Sequence, residues 1–329
     1  IITGTELSEL SDKELRQRIM KLKVISRARP MDKKLLVETL QDMNQVVAVT
    51  GDGTNDAPAL KAAHVGLSMG DGTNVAKQAS DITITDNSFT SIGRAVMWGR
   101  SLYQNIQRFI LFQMIVNVVA CLVVVFGAFL GEQPPLTVTQ MLWVNLIMDT
   151  FAAMALASLP PNERVMQSKP RNRKDFIITK PMGIIIASIG VLFFAFLMTL
   201  LYVFKHYDIK AFADIFLFGE YRGGIGISPK EGSMFFTVFV MLQFWNMFNA
   251  KAYMSGRSAF HFKNCGSFLL IAAIILAGQV AIVTFGGKMF SVTPLSVADW
   301  VVMIALTSLV MILGELARFA NNHCIKAKA

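Results

Sequence analysis

From Phe109 to Leu130 the chain reads FILFQMIVNVVACLVVVFGAFL, with no Asp, Glu, Lys or Arg. A run of about 18 or more residues this apolar is long enough to cross a bilayer as a helix. In lipid the backbone must satisfy its own polar groups, and a helix does so within one segment. Comparable runs recur almost to the end, placing six expected spans at about 102–130, 136–157, 183–204, 233–250, 267–285 and 297–319. The composition agrees: 53% hydrophobic and only 16% charged residues is far from a soluble average.

The connections test these spans, because Lys and Arg concentrate in cytoplasmic loops. SLPPNERVMQSKPRNRKDFIITK carries Arg164, Lys169, Arg171, Arg173, Lys174 and Lys180, and KAYMSGRSAFHFK carries Lys251, Arg257 and Lys263. Both read as cytoplasmic. GEQPP has no base, GGKMFSVTP has one, and the loop from Lys205 to Glu231 balances its bases with acids, so these read as external. An even number of spans returns the carboxyl terminus, with Arg318, Lys326 and Lys328, to the cytoplasmic side. Membrane topology therefore accounts for the net charge of +9, with no nucleic-acid partner.

Residues 1–95 have a different pattern, with β-rich runs alternating with amphipathic helical ones as in α/β units. Ser11 and Glu14 in SDKELRQRIMKL have capping-box spacing. VISRA, VVAVT, HVGLSM and DITIT read as strands, MDKKLLVETL as a helix, and DAPALKAA as a short helix with Pro58 in its first turn. The expected fold is part of a Rossmann-like α/β domain (1–95) followed by an all-α six-helix membrane domain (96–329). Cys121, Cys265 and Cys324 are odd in number and widely spaced, which fits free thiols. The opening IITGTELSEL has neither a methionine nor a signal-peptide pattern, and suggests a chain beginning within a domain.

In a doubly wound sheet, ligands bind beyond the carboxyl ends of the strands. VVAVTGDGTND puts Asp52, Asn55 and Asp56 there. Hard oxygen donors suit Mg²⁺, and glycines let the backbone approach a phosphate closely. An Asp-Gly hairpin turn is the plainer alternative, disfavoured by the helical APALKAA that follows.

The longer segments TGDGTNDAPALKAAHVGLSMG and AKQASDITITDNSF resemble the phosphorylation domain of P-type ATPases, within the haloacid-dehalogenase-like superfamily. The resemblance implies that Asp52 holds the catalytic Mg²⁺, with Asn55 and Asp56 completing the local arrangement. ARPMDKK resembles the segment bearing a phosphate-contacting lysine, which maps to Lys33; by itself it reads as a solvated helix start. Phosphoryl transfer is largely positioning and charge neutralisation, so a metal carboxylate and a cation are the parts it needs. The family's Asp-Lys-Thr-Gly phosphorylation motif has no match in this sequence. Nor do its ATP-binding domain, actuator domain or first four helices, so this chain by itself is not expected to turn over ATP.

In QMLWVNLIMDTFAAMAL, Asn145 and Asp149 are four apart and share a helical face. A carboxylate inside a span is a functional-site candidate by default. Asn117, on the preceding span, could add a neutral oxygen; hydrogen bonding between helices is the structural alternative for all three. The segment resembles the sixth membrane helix of calcium pumps, especially the plasma-membrane type, which implies that Asn145 and Asp149 ligate transported Ca²⁺. Ala120 and Gln243 stand where the sarcoplasmic-reticulum type has glutamates of a further site, implying one Ca²⁺ per cycle with H⁺ returned. Gln243, Asn246 and Asn249 then read as structural hydrogen bonders.

The resemblance thus leads us to expect a multi-pass plasma-membrane Ca²⁺ pump that uses Mg²⁺ and ATP. The helix following the phosphorylation domain would be its mechanical link to the ion site. Mn²⁺ is an alternative cargo, and a non-catalytic cation-binding relic an alternative role. FANNHCIKAKA shows no calmodulin-binding tail, which points to a bacterial inner membrane.

Overall fold

In a computed structural model, which describes residues 1–129, 135–172, 174–217, 219–224 and 226–326 apart from the side chains at 128, 217 and 321–326, the expected capping box forms. Ser11 N donates to Glu14 Oε2 at 3.0 Å and Glu14 N to Ser11 Oγ at 3.4 Å. The chain divides into two compact units, one built mainly on Ile1–Trp98 and the other beginning at Gly99.

The first unit runs β1 (Ile2–Thr3), α1 (Gly4–Glu9), α2 (Asp12–Ile19), β2 (Ile25–Ser26), α3 (Pro30–Asp42), β3 (Ala48–Gly51), α4 (Ala57–Ala62), β4 (Val65–Met69), α5 (Asn74–Ala79) and β5 (Ile82–Ile84). Strands β1 and β2 pair in parallel, and β3, β4 and β5 form a second parallel sheet in that order. Parallel neighbours need crossovers, and α4 and α5 supply them. The strand expected from VISRA stops at Ser26, because Arg27 has a φ of 52°, outside the β region. Leu7, Leu15 and Ile19 form a small buried cluster beneath α1 and α2.

The long helix α6 (Phe89–Phe129) starts well before the span expected at 102, because no proline interrupts its sequence. Next come α7 (Val138–Leu142), a π-helical stretch at Trp143–Met148, and α8 (Asp149–Ala157), which together make one span. They are followed by α9 (Lys180–His206), α10 (Pro229–Ala252), α11 (Gly266–Phe285), the short α12 (Gly287–Phe290) and α13 (Val297–Lys326). Among the described residues five helices are long and apolar enough to cross a membrane, at Phe89–Gly127, Val138–Ala157, Lys180–His206, Gly266–Phe285 and Val297–Ala320.

The remaining expected span, 233–250, falls on α10, which is outside that set. The reason lies in its surroundings. Almost every residue of α10 is buried, including Gln243, Asn246 and Asn249. A helix surrounded by other helices does not need an apolar face towards lipid. Its neighbour α13 comes close at Gly314, where an added Cβ would overlap Asn249. Asn249 Nδ2 donates to Val310 O at 2.9 Å and Trp245 Nε1 to Thr307 Oγ1 at 3.2 Å.

The loop between α9 and α10 is fastened by buried acids. Glu231 accepts from Ile209 N at 3.1 Å and pairs with Arg222, and Asp299 accepts from Phe212 N at 2.7 Å. GEQPP before Pro135, Arg173, and the side chains of Cys324, Lys326 and Lys328 lie outside the described residues. Cys121 and Cys265 are free thiols.

Candidate functional site

At the end of β3 the chain makes a 3₁₀ turn, Thr54–Asp56, before entering α4. The turn folds Asp56 back over Gly51, where any Cβ would lie 2.4 Å from the Asp56 Cβ, so only glycine fits. Thus placed, Asp56 Oδ1 receives a bond from Lys33 Nζ at 2.6 Å and Oδ2 one from Gly53 N at 3.2 Å. Burial, the largest single influence, pushes the Asp56 carboxyl up. Lys33 and the backbone donors at Gly53 and Asp52 together outweigh it and hold the group below the ordinary value of 3.8.

Lys33, from the start of α3, and Asp56 are therefore brought together. Asp52 and Asn55 are exposed beside them. Gly72 holds a second close approach, since a Cβ there would meet Asp52 O at 3.0 Å. Among the described residues no three His, Cys, Asp or Glu side chains gather as a metal cage. Mg²⁺ does not require such a cage, being commonly held by one or two carboxylates with water and substrate phosphate completing its shell. Asp52 is the exposed carboxylate at the strand end.

In the second unit Asp149 is 4% exposed. Its Oδ2 accepts from Gln113 Nε2 on α6 at 2.7 Å. The remaining oxygens, Asp149 Oδ1 and Gln113 Oε1, are both buried without a hydrogen-bond partner. A buried acceptor left unmade costs about 1–3 kcal/mol, and more when charged, so the pair is poor at stability and well suited to a cation.

Asn145 and Asn117 are placed differently. Asn145 is exposed and Asn117 half-buried, and the structure records no side-chain hydrogen bond joining either to Asp149. Asn145 lies in the π-helical stretch, whose wider turns rotate side chains away from the α-helical i, i+4 alignment that the sequence reading assumed. The stretch is held from α11: Trp143 Nε1 donates to Gln279 Oε1 at 2.9 Å, over Gly278.

Gln113 is the residue missed from sequence. Its signal was available, since it lies four before Asn117 and so on the same side of α6. Gln243, expected to bond structurally, has neither amide atom bonded, and Asn246 Nδ2 is likewise unpartnered.

Comparison with known proteins follows the same division. The family described as "Cation transporting ATPase, C-terminus" matches residues 133–320, and "haloacid dehalogenase-like hydrolase" matches residues 33–96. The chain is 44% identical over 306 residues to plasma membrane calcium-transporting ATPase 2 of Oreochromis mossambicus, covering 90% of this chain and 26% of that protein. To plasma membrane calcium-transporting ATPase 3 of Homo sapiens it is 44% identical over 305 residues, covering 90% and 24% respectively. To calcium-transporting ATPase PAT1 of Dictyostelium discoideum it is 38% identical over 345 residues, covering 96% and 30%. The chain thus spans 24–30% of the length of these relatives.

Proposed function

The chain belongs to the cation-transporting ATPases and is a multi-pass membrane protein; from that premise we propose that it supplies the cargo-binding helices and part of the phosphorylation domain of a P-type pump that moves Ca²⁺ across the plasma membrane. The observation that carries the reading is the buried, half-satisfied pair of Asp149 and Gln113. Ca²⁺ takes six to eight oxygens, and this pair presents two without donors. Asn117 and Asn145 are the proposed neutral ligands, and Asn145, which faces outward here, reaches the ion by rotation of the π-helical stretch.

In the first unit, Asp56 holds the Lys33 ammonium at the carboxyl edge of β3. Lysine has three N–H donors, and one is spent on Asp56, so the others serve a phosphate that arrives there. Mg²⁺ bound at Asp52 would neutralise phosphate charge during formation and breakdown of an aspartyl phosphate fuelled by ATP. Asn55 orients the turn beside it. The relatives' names support Ca²⁺ as cargo; Mn²⁺ shares the same hard-oxygen chemistry.

When the cargo leaves, a charged Asp149 would remain buried among helices, which is costly. We assign H⁺ as the ion that returns in its place. The phosphorylation domain and the basic loops then face the cytoplasm. Equilibrium ⁴⁵Ca²⁺ binding to the chain in nanodiscs tests the site: saturable binding, weakened at least tenfold by Gln113→Leu, is expected. Equal binding by the variant contradicts the assignment.

A further inference from the structure

A half-open pocket lies where α6 meets the loops 159–162 and 253–265. Five basic side chains line it, Arg108, Lys251, Arg257, His261 and Lys263, and no Asp or Glu does. Arg108 and Lys251 are 4% and 5% exposed. Among the described residues neither makes an ion pair with a carboxylate. Arg108 spends three N–H groups on neutral oxygens: Tyr253 O at 2.9 Å, Asn105 Oδ1 at 2.7 Å and Gln104 Oε1 at 3.0 Å. Lys251 Nζ donates to His261 O at 2.9 Å and lies 4.4 Å from the centre of the Phe262 ring.

Buried cations ordinarily have a counter-charge. Glu315 on α13 does not line the pocket or pair with either base: its Oε1 accepts from Ser258 Oγ at 2.7 Å, fastening the loop from outside, and from Arg318 Nη2 at 3.0 Å. The walls are also built in advance of any ligand. Gln104 Nε2 donates to Met254 O at 2.7 Å, Asn162 Nδ2 to Ser255 O at 3.2 Å and Arg164 to Gly256 O at 3.0 Å, so side chains from two other segments fix the loop that carries the bases.

We propose that this pocket is an anion site that takes a phosphate group. Arginine offers five N–H donors and lysine three, so two donors on each remain for a tetrahedral oxyanion with several acceptors. The pocket sits at helix ends, so the group can come from a phospholipid headgroup or from soluble phosphate. Neither Asp149 nor Gln113 lines the pocket, and the proposal does not depend on what the chain transports.

The test uses the full chain in phosphatidylcholine nanodiscs with two probes, phosphatidic acid mixed into the bilayer and inorganic phosphate in solution. Retained lipid is read by mass spectrometry and phosphate by equilibrium dialysis with ³²P. Lys251→Gln is expected to weaken binding of the favoured probe about tenfold or more, and Lys288→Gln, outside the pocket, to leave it unchanged. If Lys251→Gln does not fold, the exposed pair Arg257→Gln with Lys263→Gln decides, with the same direction. Enrichment of phosphatidic acid that these variants abolish supports the site and makes the source a lipid; saturable ³²P binding that they abolish supports it with a soluble source. Absence of binding by both probes, or binding that the pocket variants leave intact, overturns the proposal.

Discussion

Gln113 and Asp149, on different helices, are joined by one 2.7 Å hydrogen bond from the amide nitrogen, while Gln113 Oε1 and Asp149 Oδ1 are both buried with no donor. The amide positions the carboxylate and contributes an acceptor of its own. Gln113→Leu should remove both effects. A hydrogen bond to a charged group contributes about 1.5–3 kcal/mol, so Ca²⁺ affinity should fall about 10- to 100-fold in ⁴⁵Ca²⁺ binding. Gln113→Asn, which keeps the amide on a shorter stem, should be milder.

Trp143 anchors the π-helical stretch through Gln279, and a Cβ on Gly278 would lie 2.7 Å from the indole. Gly278→Ala should therefore overpack this contact and destabilise the membrane unit by about 1–3 kcal/mol. Trp143→Phe should cost about as much, by leaving Gln279 with neither amide atom bonded. Thermal unfolding in detergent reads both, and a melting temperature unchanged by either would contradict the anchoring role.

The Lys33–Asp56 pair gives a pH signature. Its carboxyl is held below 3.8, so the stabilisation it brings is complete above that value and lost as pH falls through the lower, folded-state pKa. Lys33→Met leaves the raising effect of burial opposed only by backbone donors, and Asp56 should then titrate higher than in the parent chain. Carboxyl ¹³C titration of Asp56 measures this, with an unshifted midpoint as the contrary result.

Glu231 is fully buried and ties the α9–α10 loop through Ile209 N and Arg222. Truncation to Ala leaves Ile209 N unpaired, while Arg222 keeps Asp208 and the Phe204 and Tyr207 carbonyls, and should cost about 1–3 kcal/mol, the range for a buried polar group left unsatisfied. Limited proteolysis should then cut between Asp208 and Ser228 well before any other loop. Unaltered cleavage would remove Glu231 from this fastening role.

Much of this arrangement was legible because its signals are local. Ser11 and Glu14 announce a helix start, the β-rich runs at 48–51, 65–69 and 82–84 become parallel strands, and the long uncharged runs become helices. What escaped depends on neighbours distant in sequence. α10 is not among the helices apolar enough to cross a membrane because its neighbours, rather than lipid, surround it. The π-helical stretch carries no proline or glycine to mark it, and its effect is to turn Asn145 outward while Asp149 stays inside. Gln113 was hidden by the choice of Asn117 as the oxygen donor of α6, although the two share one side of that helix. Polarity pointed to this stretch of α6, but which of its amides meets Asp149 was set by the packing between helices.

The central claim is that Asp149 binds the transported ion, and ATP-driven ⁴⁵Ca²⁺ uptake into vesicles tests it most directly, with the pump containing this chain compared against its Asp149→Asn variant. The account predicts that uptake is abolished in the variant while the protein remains folded and inserted. Undiminished uptake by the variant would contradict it.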